Sequence, residues 1–344
     1  MSASSHHALA PAPPARADVA DGDGRATAPV AAMAGSYGTL FHEHRSFLWS
    51  LLYRLTGCAA DADDLVQDTF VRAMEKPPAD LATSLRPWLV RVGLNLGRDL
   101  LRRRRRSPYT GPWLPSPIAT GEEGEVVPTF EVVAAGVSTE GRYDLLESVS
   151  MAFLTALEVL TPQQRAVLLL RDVFDYSVRE TAAALGSREG AVKAAHLRAR
   201  RAMAAYDRAR RVPSGELREQ ARRTLRKLME GLAAGDVDAI ESLLTDDARA
   251  FSDGGGEFYA ALNPIVGARN VARLYLGLFS KFHSASDYSV QMYNGMPSIL
   301  VRVHVPPYER LARRFLIQLE PSTDGRIRRL YSVLASRKLT AVQF

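Results

Sequence analysis

The stretch "DYSVRETAAALGSREGAVKAAHLRARRAMAAY", residues 175–206, decides how the chain is read. Ser177 stands where a side-chain oxygen can cap a short helix, and Ala182, Ala183 and Leu185 give that helix a small apolar face. Gly186 supplies a tight turn, and a second helix begins near Arg188. Small alanines let two helices approach closely, as a helix-turn-helix requires. The second helix projects Arg188, Lys193, Arg198, Arg200 and Arg201, with Val192, Leu197 and Met203 expected to face inward. A helix laid in a DNA major groove needs that division, although an ordinary basic hairpin of helices shares it.

Upstream, Leu40, Phe41, Phe47, Leu48, Leu51, Leu52 and Leu55 recur at helical spacing from Tyr37 until Gly57. A second helical pattern follows Asp61 through Leu65, Val66, Thr69, Phe70 and Ala73 and stops before Pro77 and Pro78. A third runs from Arg86 through Trp88, Leu89, Val92, Leu96 and Leu100 into five consecutive arginines, Arg102–Arg106. Trp88, Arg91, Asn95 and Arg98 mix aromatic, amide and cationic groups on neighbouring turns. Melted DNA is held by that combination, because flat groups stack on bases and cations follow phosphates. Trp88 as plain core is the competing reading. The acidic "DADDLVQDTF" (61–70) would repel phosphate, so its face should meet protein, unless the acids only favour a helix N-terminus.

Composition sets the bounds. The 344 residues allow two or three compact units, and 47% hydrophobic with 24% charged residues is ordinary for globular chains. The net charge of +6 suits a polyanionic partner. Cys58 is the only cysteine, which excludes an intramolecular disulfide and a multi-cysteine zinc site, and no metal or cofactor is expected. No apolar run approaches the roughly 20 residues of a membrane helix. No secretory leader is evident, so a cytoplasmic location is expected. Residues 1–35 are poor in large apolar side chains and read as a disordered tail. The segment 107–142 is rich in proline, lacks a period and reads as a linker, with acidic "GEEGEV" at 121–126. Helical periodicity resumes at Tyr143, with breaks at Thr161-Pro162, Tyr176-Ser177 and Gly186-Ser187, and holds to about Arg211.

Beyond Pro213, helical segments near 217–234 and 236–244 lead to "ARAFSDGGGEFYA", then a helix from about Ala268 to Phe282. The alternating runs "YSVQMYN", "SILVRVHV", "RRFLIQLE" and "IRRLYSVLA" follow as strands. The expected fold is therefore multidomain: two all-α helical domains and a C-terminal α+β domain over 213–344.

The order of these parts resembles the sigma-70 family, specifically sigma factors of the extracytoplasmic-function (ECF) type. "LFHEHRSFLWSLLYRLTG", "DADDLVQDTFVRA" and "RPWLVRVGLNLGRDLLRRRRR" resemble region 2 (36–106). "LTPQQRAVLLLRDVFDYSVRETAAALGSREGAVKAAHLRARRAM" resembles region 4 (143–212). The C-terminal domain is similar to SnoaL-like domains of the NTF2-like superfamily, a cone of curved sheet and helices. "WLPSP" in the linker and "DGGG" at 253–256 mark an ECF group with this appendage. That group usually carries an Asn-Pro-Asp-Lys-Leu-like segment where this chain reads "LASRKL" at 334–339.

The resemblance implies partners and sites: core RNA polymerase and promoter DNA, with no separate anti-sigma protein. Asp63, Asp64, Gln67, Asp68 and Phe70 match the polymerase-docking helix. Lys76 to Leu85 with Trp88, Arg91, Asn95, Arg98, Arg102, Arg103 and Arg104 match the part that opens the -10 element. Lys193, Ala194, Leu197 and Arg198, with Arg188, Arg200 and Arg201, match the part that faces the -35 element. Alanines at 194 and 195 would leave base readout thin, with phosphate contacts and duplex shape supplying the rest. Docking between the linker (Trp113, Leu114, Pro115) and the loop Asp253, Gly254, Gly255 and Gly256 is expected, with the Trp113 indole seated on the glycines. Two alternatives stay open for the cone, a small-molecule sensor or an enzyme using Asp253, His283 and His304. A deep pocket would favour either, and a filled cone a docking module.

Overall fold

The computed structural model describes residues 27–76, 81–122, 131, 132, 134–138, 140–304 and 310–344. Thr27–Leu40 belongs to one compact unit, and Phe41–Phe344 forms the other. Helix α1 (Thr27–Thr56) begins ten residues ahead of the expected Tyr37. The residues 27–35 assigned to a disordered tail are therefore helical, because "TAPVAAMAG" is rich in alanine, which favours helix without any amphipathic period. The rest of that tail, most of "GEEGEV" and the tip of the Lys76–Leu85 loop lie outside the described residues.

The first helical domain packs α1 against α2 (Ala59–Glu75) and α3 (Leu81–Arg106). Its core is the leucine stripe Leu48, Leu51, Leu52 and Leu55 with Leu65, Val66, Leu89 and Leu94. Gly93 and Gly97 of α3 admit the Leu52 and Leu55 side chains, and a Cβ at Gly97 would sit 2.5 Å from Leu55. The second helical domain contains α4 (Leu145–Val149), α5 (Met151–Ala156), α6 (Pro162–Asp172), α7 (Val178–Leu185) and α8 (Glu189–Ala209). The expected breaks are physical caps: Thr161 and Ser177 each form a capping box, and Gly186 sits at φ 57°. A further break at Ser150, whose side chain caps α5, separates α4 from α5.

The C-terminal domain places α9 (Gly215–Ala234), α10 (Val237–Ser242) and α11 (Ala268–Phe282) against one face of a six-stranded sheet. The strands are β1 (Leu244–Asp253), β2 (Ile265–Val266), β3 (Ser286–Tyr293), β4 (Met296–Val303), β5 (Arg314–Pro321) and β6 (Ile327–Val333), in spatial order β2-β1-β6-β5-β4-β3. β1 and β6 run parallel, and the other neighbours are antiparallel. Leu225, Leu228, Val271, Tyr275, Ile299, Leu319 and Leu330 form the core between helices and sheet. On the opposite face Tyr331 and Val333 pack with Leu114 of the linker and Met151 of α5, while Tyr293, Leu300 and Leu316 pack with Ala119 and the C-terminal residues Val342 and Phe344. The sheet is thus covered on both faces, and its second cover comes from the linker and the second helical domain.

Candidate functional site

Four groups of side chains were singled out by sequence, and the structure separates exposed ones from those engaged inside the molecule. On α8, Arg188, Lys193, Leu197, Arg198, Arg200 and Arg201 are exposed, with Ala194 half-buried, while Val192, Ala195, Ala199 and Met203 are buried. Leu197, expected to face inward, is 53% exposed and points out with the cations. The register explains this: buried positions fall at 192, 195, 199 and 203, one helical stripe that skips 197. Arg200 leans back on Asp172 of α6 at 3.2 Å, and His196 reaches the same carboxylate at 2.8 Å.

On α2, Asp63, Asp64, Gln67 and Asp68 are exposed. Phe70 is not: it is buried against Phe41, ring centroids 4.7 Å apart, because it falls on the helix stripe that meets α1. Its ring therefore stands apart from the exposed acidic face of α2 in this arrangement. Asp63 accepts from Trp49 Nε1 at 2.9 Å and pairs with Arg45 at 3.4 Å. Asp61 and Asp64 both pair with Arg337, from the short turn Ser336–Lys338 that follows β6. The segment "LASRKL" therefore does make contact, with Arg337 on α2 and Lys338 on Asp253.

On α3, Trp88 is half-buried and Arg91 and Asn95 are exposed. Arg91 lies over the turn between α7 and α8, where a Cβ on Gly186 would be 3.2 Å from its guanidinium. Arg98 is half-buried, with Nε and Nη1 lacking hydrogen-bond partners, and burial lowers its pKa. The arginine run splits. Arg102 pairs with Asp99 of its own helix, and Arg103 and Arg106 are exposed. Arg104 donates to both oxygens of Glu158 at 2.8 and 3.0 Å and to Thr56 O at 2.9 Å, and Arg105 donates to Leu160 O. Burial pushes the Glu158 carboxyl up, but Arg165 and Arg104 together hold it below the usual carboxylate range. Two of the five arginines thus clamp the two helical domains together.

The linker crosses the cone at a buried polar node. Asp253, fully buried, accepts from Tyr109 Oη at 2.6 Å, from the Leu114 amide at 2.7 Å and from the Gly255 amide at 3.0 Å, and it pairs with Lys338. Lys338 also donates to Leu114 O. Burial pushes the Lys338 pKa down to about 8, against the opposing pull of Asp253, and burial also drives the Tyr109 phenol up. The Trp113 indole is not on the glycines. It packs on the left-handed Gly57, where a Cβ would lie 2.5 Å from its ring, and lies between Arg104 and Lys338 at 4.1 and 4.0 Å from the ring centroid. Gly57 alone leaves room for the ring, which is why the indole turns toward α1–α2. Pro115 is buried, Gly255 and Gly256 lie beside Tyr109 and Thr110, and Gly254 packs within its own loop on Phe258 O.

Sequence reasoning missed the second node. The β3–β4 turn, Asn294 (φ 50°) and Gly295 (φ 76°), enters between the helical domains. Asn294 Nδ2 donates to Tyr53 Oη at 2.9 Å and to Val149 O at 2.7 Å, and its Oδ1 accepts from the Ile118 amide at 3.1 Å. Asn-Gly is a readable hairpin signal. Nothing in it says that the turn is buried.

The cone encloses an apolar cavity of about 410 Å³ lined by α9, α11 and β4–β6. Among its lining residues none is Asp, Glu, Lys or Arg, and its polar groups include the Tyr275 Oη–Ser332 Oγ pair at 2.9 Å. Of the catalytic candidates, His283 stands at its edge, stacked on Phe279, while Asp253 is committed to the linker and His304 pairs with the exposed Asp287. The three do not converge. Among the described residues no cluster could hold a metal ion, and no helix is long and apolar enough to cross a membrane.

Two family models match the helical domains: Sigma-70 region 2 over residues 40–107 and Sigma-70, region 4 over residues 150–203. The chain is 36% identical over 244 residues to the ECF RNA polymerase sigma factor SigJ of Mycobacterium tuberculosis, covering 70% of this chain and 73% of that protein. This chain belongs to the ECF RNA polymerase sigma factors. The probable ECF sigma factor SigI of the same organism is 28% identical over 76% of this sigma factor and 82% of its own length. The crystal structure of SigJ superposes with a TM-score of 0.65 at 30% identity, covering 88% of this chain and 98% of that one, so the match extends into the C-terminal domain. As an ECF sigma factor, the protein binds core RNA polymerase and promoter DNA.

Proposed function

We propose that the cone holds this sigma factor closed, with its promoter-reading and polymerase-docking groups partly engaged by its own residues. The observation that carries the reading is Arg337 seated between Asp61 and Asp64, on the acidic helix that would meet polymerase. Support comes from Arg91 at the α7–α8 turn and from Arg104 on Glu158, which keep part of the -10 face against region 4. In this reading Asp63, Asp64, Gln67 and Asp68 dock on polymerase. Trp88, Arg91, Asn95, Arg98, Arg102 and Arg103 serve the -10 element, and Lys193, Leu197, Arg198 and Arg201 the -35 element. In this reading Asp253 serves as an interdomain anchor rather than as part of a catalytic group with His283 and His304. No separate anti-sigma protein is needed, since the tethered cone supplies the restraining contacts at high local concentration. The open cavity, rather than a filled cone, favours a second reading in which an uncharged apolar ligand adjusts the restraint.

The test is run-off transcription on a promoter library with core polymerase as the only other protein, beside binding of the clamp coiled coil of the polymerase largest subunit. Promoter-specific transcripts are expected, and Arg337→Glu should tighten coiled-coil binding a few-fold, because exposed ion pairs are worth at most about 1 kcal/mol each. Absence of specific transcripts would overturn the sigma reading for this chain. Unchanged coiled-coil binding would overturn the masking.

A further inference from the structure

The closed arrangement leaves a second cavity, of about 350 Å³, between region 4 and the cone. α5 and α8 wall one side, and β1, β5 and β6 wall the other, while the connection through Arg210, Arg211 and Pro213 runs along it. Met151, Met203, Leu217, Phe251 and Leu319 give it an apolar wall. Five arginines line it, Arg210, Arg211, Arg249, Arg328 and Arg329, against one carboxylate, Glu320.

That carboxylate is already taken. Arg329 grips both of its oxygens at 3.0 and 3.1 Å, and Tyr331 Oη donates to it as well. Arg210 reaches Glu147 at 3.3 Å, and Arg211 donates to Ser322 O. The side chains of Arg249 and Arg328 make no hydrogen bond or ion pair among the described residues. Arg249 is moreover the register partner of Arg329 across the parallel β1–β6 ladder. Arg329 has the Glu320 carboxylate beside it, so of these two neighbours Arg249 is the one left without a counter-charge. Pockets with an apolar lining and a few convergent polar groups at a domain boundary are where small ligands bind.

We propose that this cleft binds a small amphiphilic anion, with an apolar ring or acyl body against Met151, Met203 and Phe251 and a phosphate or carboxylate head on Arg249 and Arg328. The inference rests on the closed arrangement and not on promoter reading, so a binding assay on the free protein separates its failure from that of the sigma reading. Occupancy would join region 4 to the cone.

The experiment compares two probes with the same ring system, 1-naphthyl phosphate and the uncharged 1-naphthol, by isothermal titration calorimetry on the full chain. The phosphate should bind at least about ten-fold tighter, and its affinity should fall as salt rises, as for a screened ion pair. Arg249→Gln with Arg328→Gln should bring the two probes to within about two-fold of each other. Ala205→Trp, which fills the cleft from α8 and leaves every arginine in place, should abolish binding of the phosphate; this second variant guards against misfolding of the first. Failure of the phosphate to bind the wild type would overturn the proposal, whatever the affinity of 1-naphthol, which also has the apolar cavity of the cone available to it. So would an advantage of the phosphate that survives in both variants. Addition of 1-naphthoate distinguishes the head groups: equal binding assigns any compact anion, and weaker binding assigns phosphate.

Discussion

Asp253→Ala tests the anchor between linker and cone most directly. It removes the acceptor of the Tyr109 hydroxyl and the Leu114 amide and leaves Lys338, 4% exposed, without its counter-ion. Breaking a buried pair by deleting one partner costs about 3–5 kcal/mol, and the orphaned amide adds to this. Replacing both partners is different, because an apolar pair of similar volume can be neutral or better. Lys338→Met in the Asp253→Ala background should therefore restore much of the loss. The pH dependence has a definite sign. Lys338 has a folded pKa near 8, against 10.5 for the ordinary side chain. Between those values the unfolded chain holds a proton that the folded chain has released, so stability rises with pH across the window and is lost as pH falls through 8. The fall from 10.5 to about 8 corresponds to roughly 3 kcal/mol. Urea melts of wild type and Lys338→Met, followed by tyrosine and tryptophan signals, should show the wild type gaining on the variant by about this amount from pH 8 to 10.5. A constant difference, or an Asp253→Ala protein as stable as wild type, would refute the reasoning.

Lys193→Ala and Arg198→Ala should each weaken -35 binding of the holoenzyme by about 1–3 kcal/mol if they read base edges, measured by anisotropy on matched and scrambled -35 sequences. Arg103→Gln should lower the log–log salt slope of DNA binding by about 0.9, one phosphate on duplex DNA, whereas Arg104→Gln should mainly loosen the packing on Glu158 and lower the unfolding midpoint. The reverse assignment in the same two assays would show that the run has been divided wrongly. Asn294→Ala removes two donated bonds and one accepted bond at a fully buried site and leaves Val149 O and Ile118 N unpaired. An increase in radius of gyration by small-angle scattering and faster proteolysis at 107–122 are expected, and unchanged values of both would remove the turn from the closing device.

What could be read in advance depended on whether a signal was local. Ser177, Thr161 and Gly186 were legible because capping and left-handed turns are set by residues three or four positions away. The helical domains and β3–β6 followed from periodicities of 3.6 and 2. β1 was harder, since "LTDDARAFSD" mixes acidic residues into a strand whose burial is irregular. Leu197 was misplaced by register, because a shift of one or two positions on a helix turns a side chain from core to surface, whereas Phe70 falls on the apolar pattern of its helix and only the resemblance set it among docking residues. The Trp113 seat was misplaced for another reason. "WLPSP" and "DGGG" do meet, but through the Leu114 amide and Tyr109, while the indole finds the bare backbone of Gly57, 56 residues upstream in sequence.

The chemistry of the interdomain contacts bears on how such a molecule opens. Polar contacts clamp the parts together: Asp253 and Lys338 of the cone with Tyr109 and Leu114 of the linker, Glu158 with Arg104, and Asn294 with Tyr53 and Val149. Buried pairs of this kind add little net stability over an apolar contact, yet they are costly to leave half-made. Such an interface is specific when closed and resists partial opening, and beside it Leu114, Met151 and Ala119 make apolar contact with the sheet. Polymerase and DNA can replace these partners in kind, since acidic Asp61 and Asp64 can exchange Arg337 for other cations, and Arg104 can exchange its protein contacts for phosphate. On this argument the polar part of opening is an exchange of charge-assisted hydrogen bonds. Raised salt should therefore loosen the closed form.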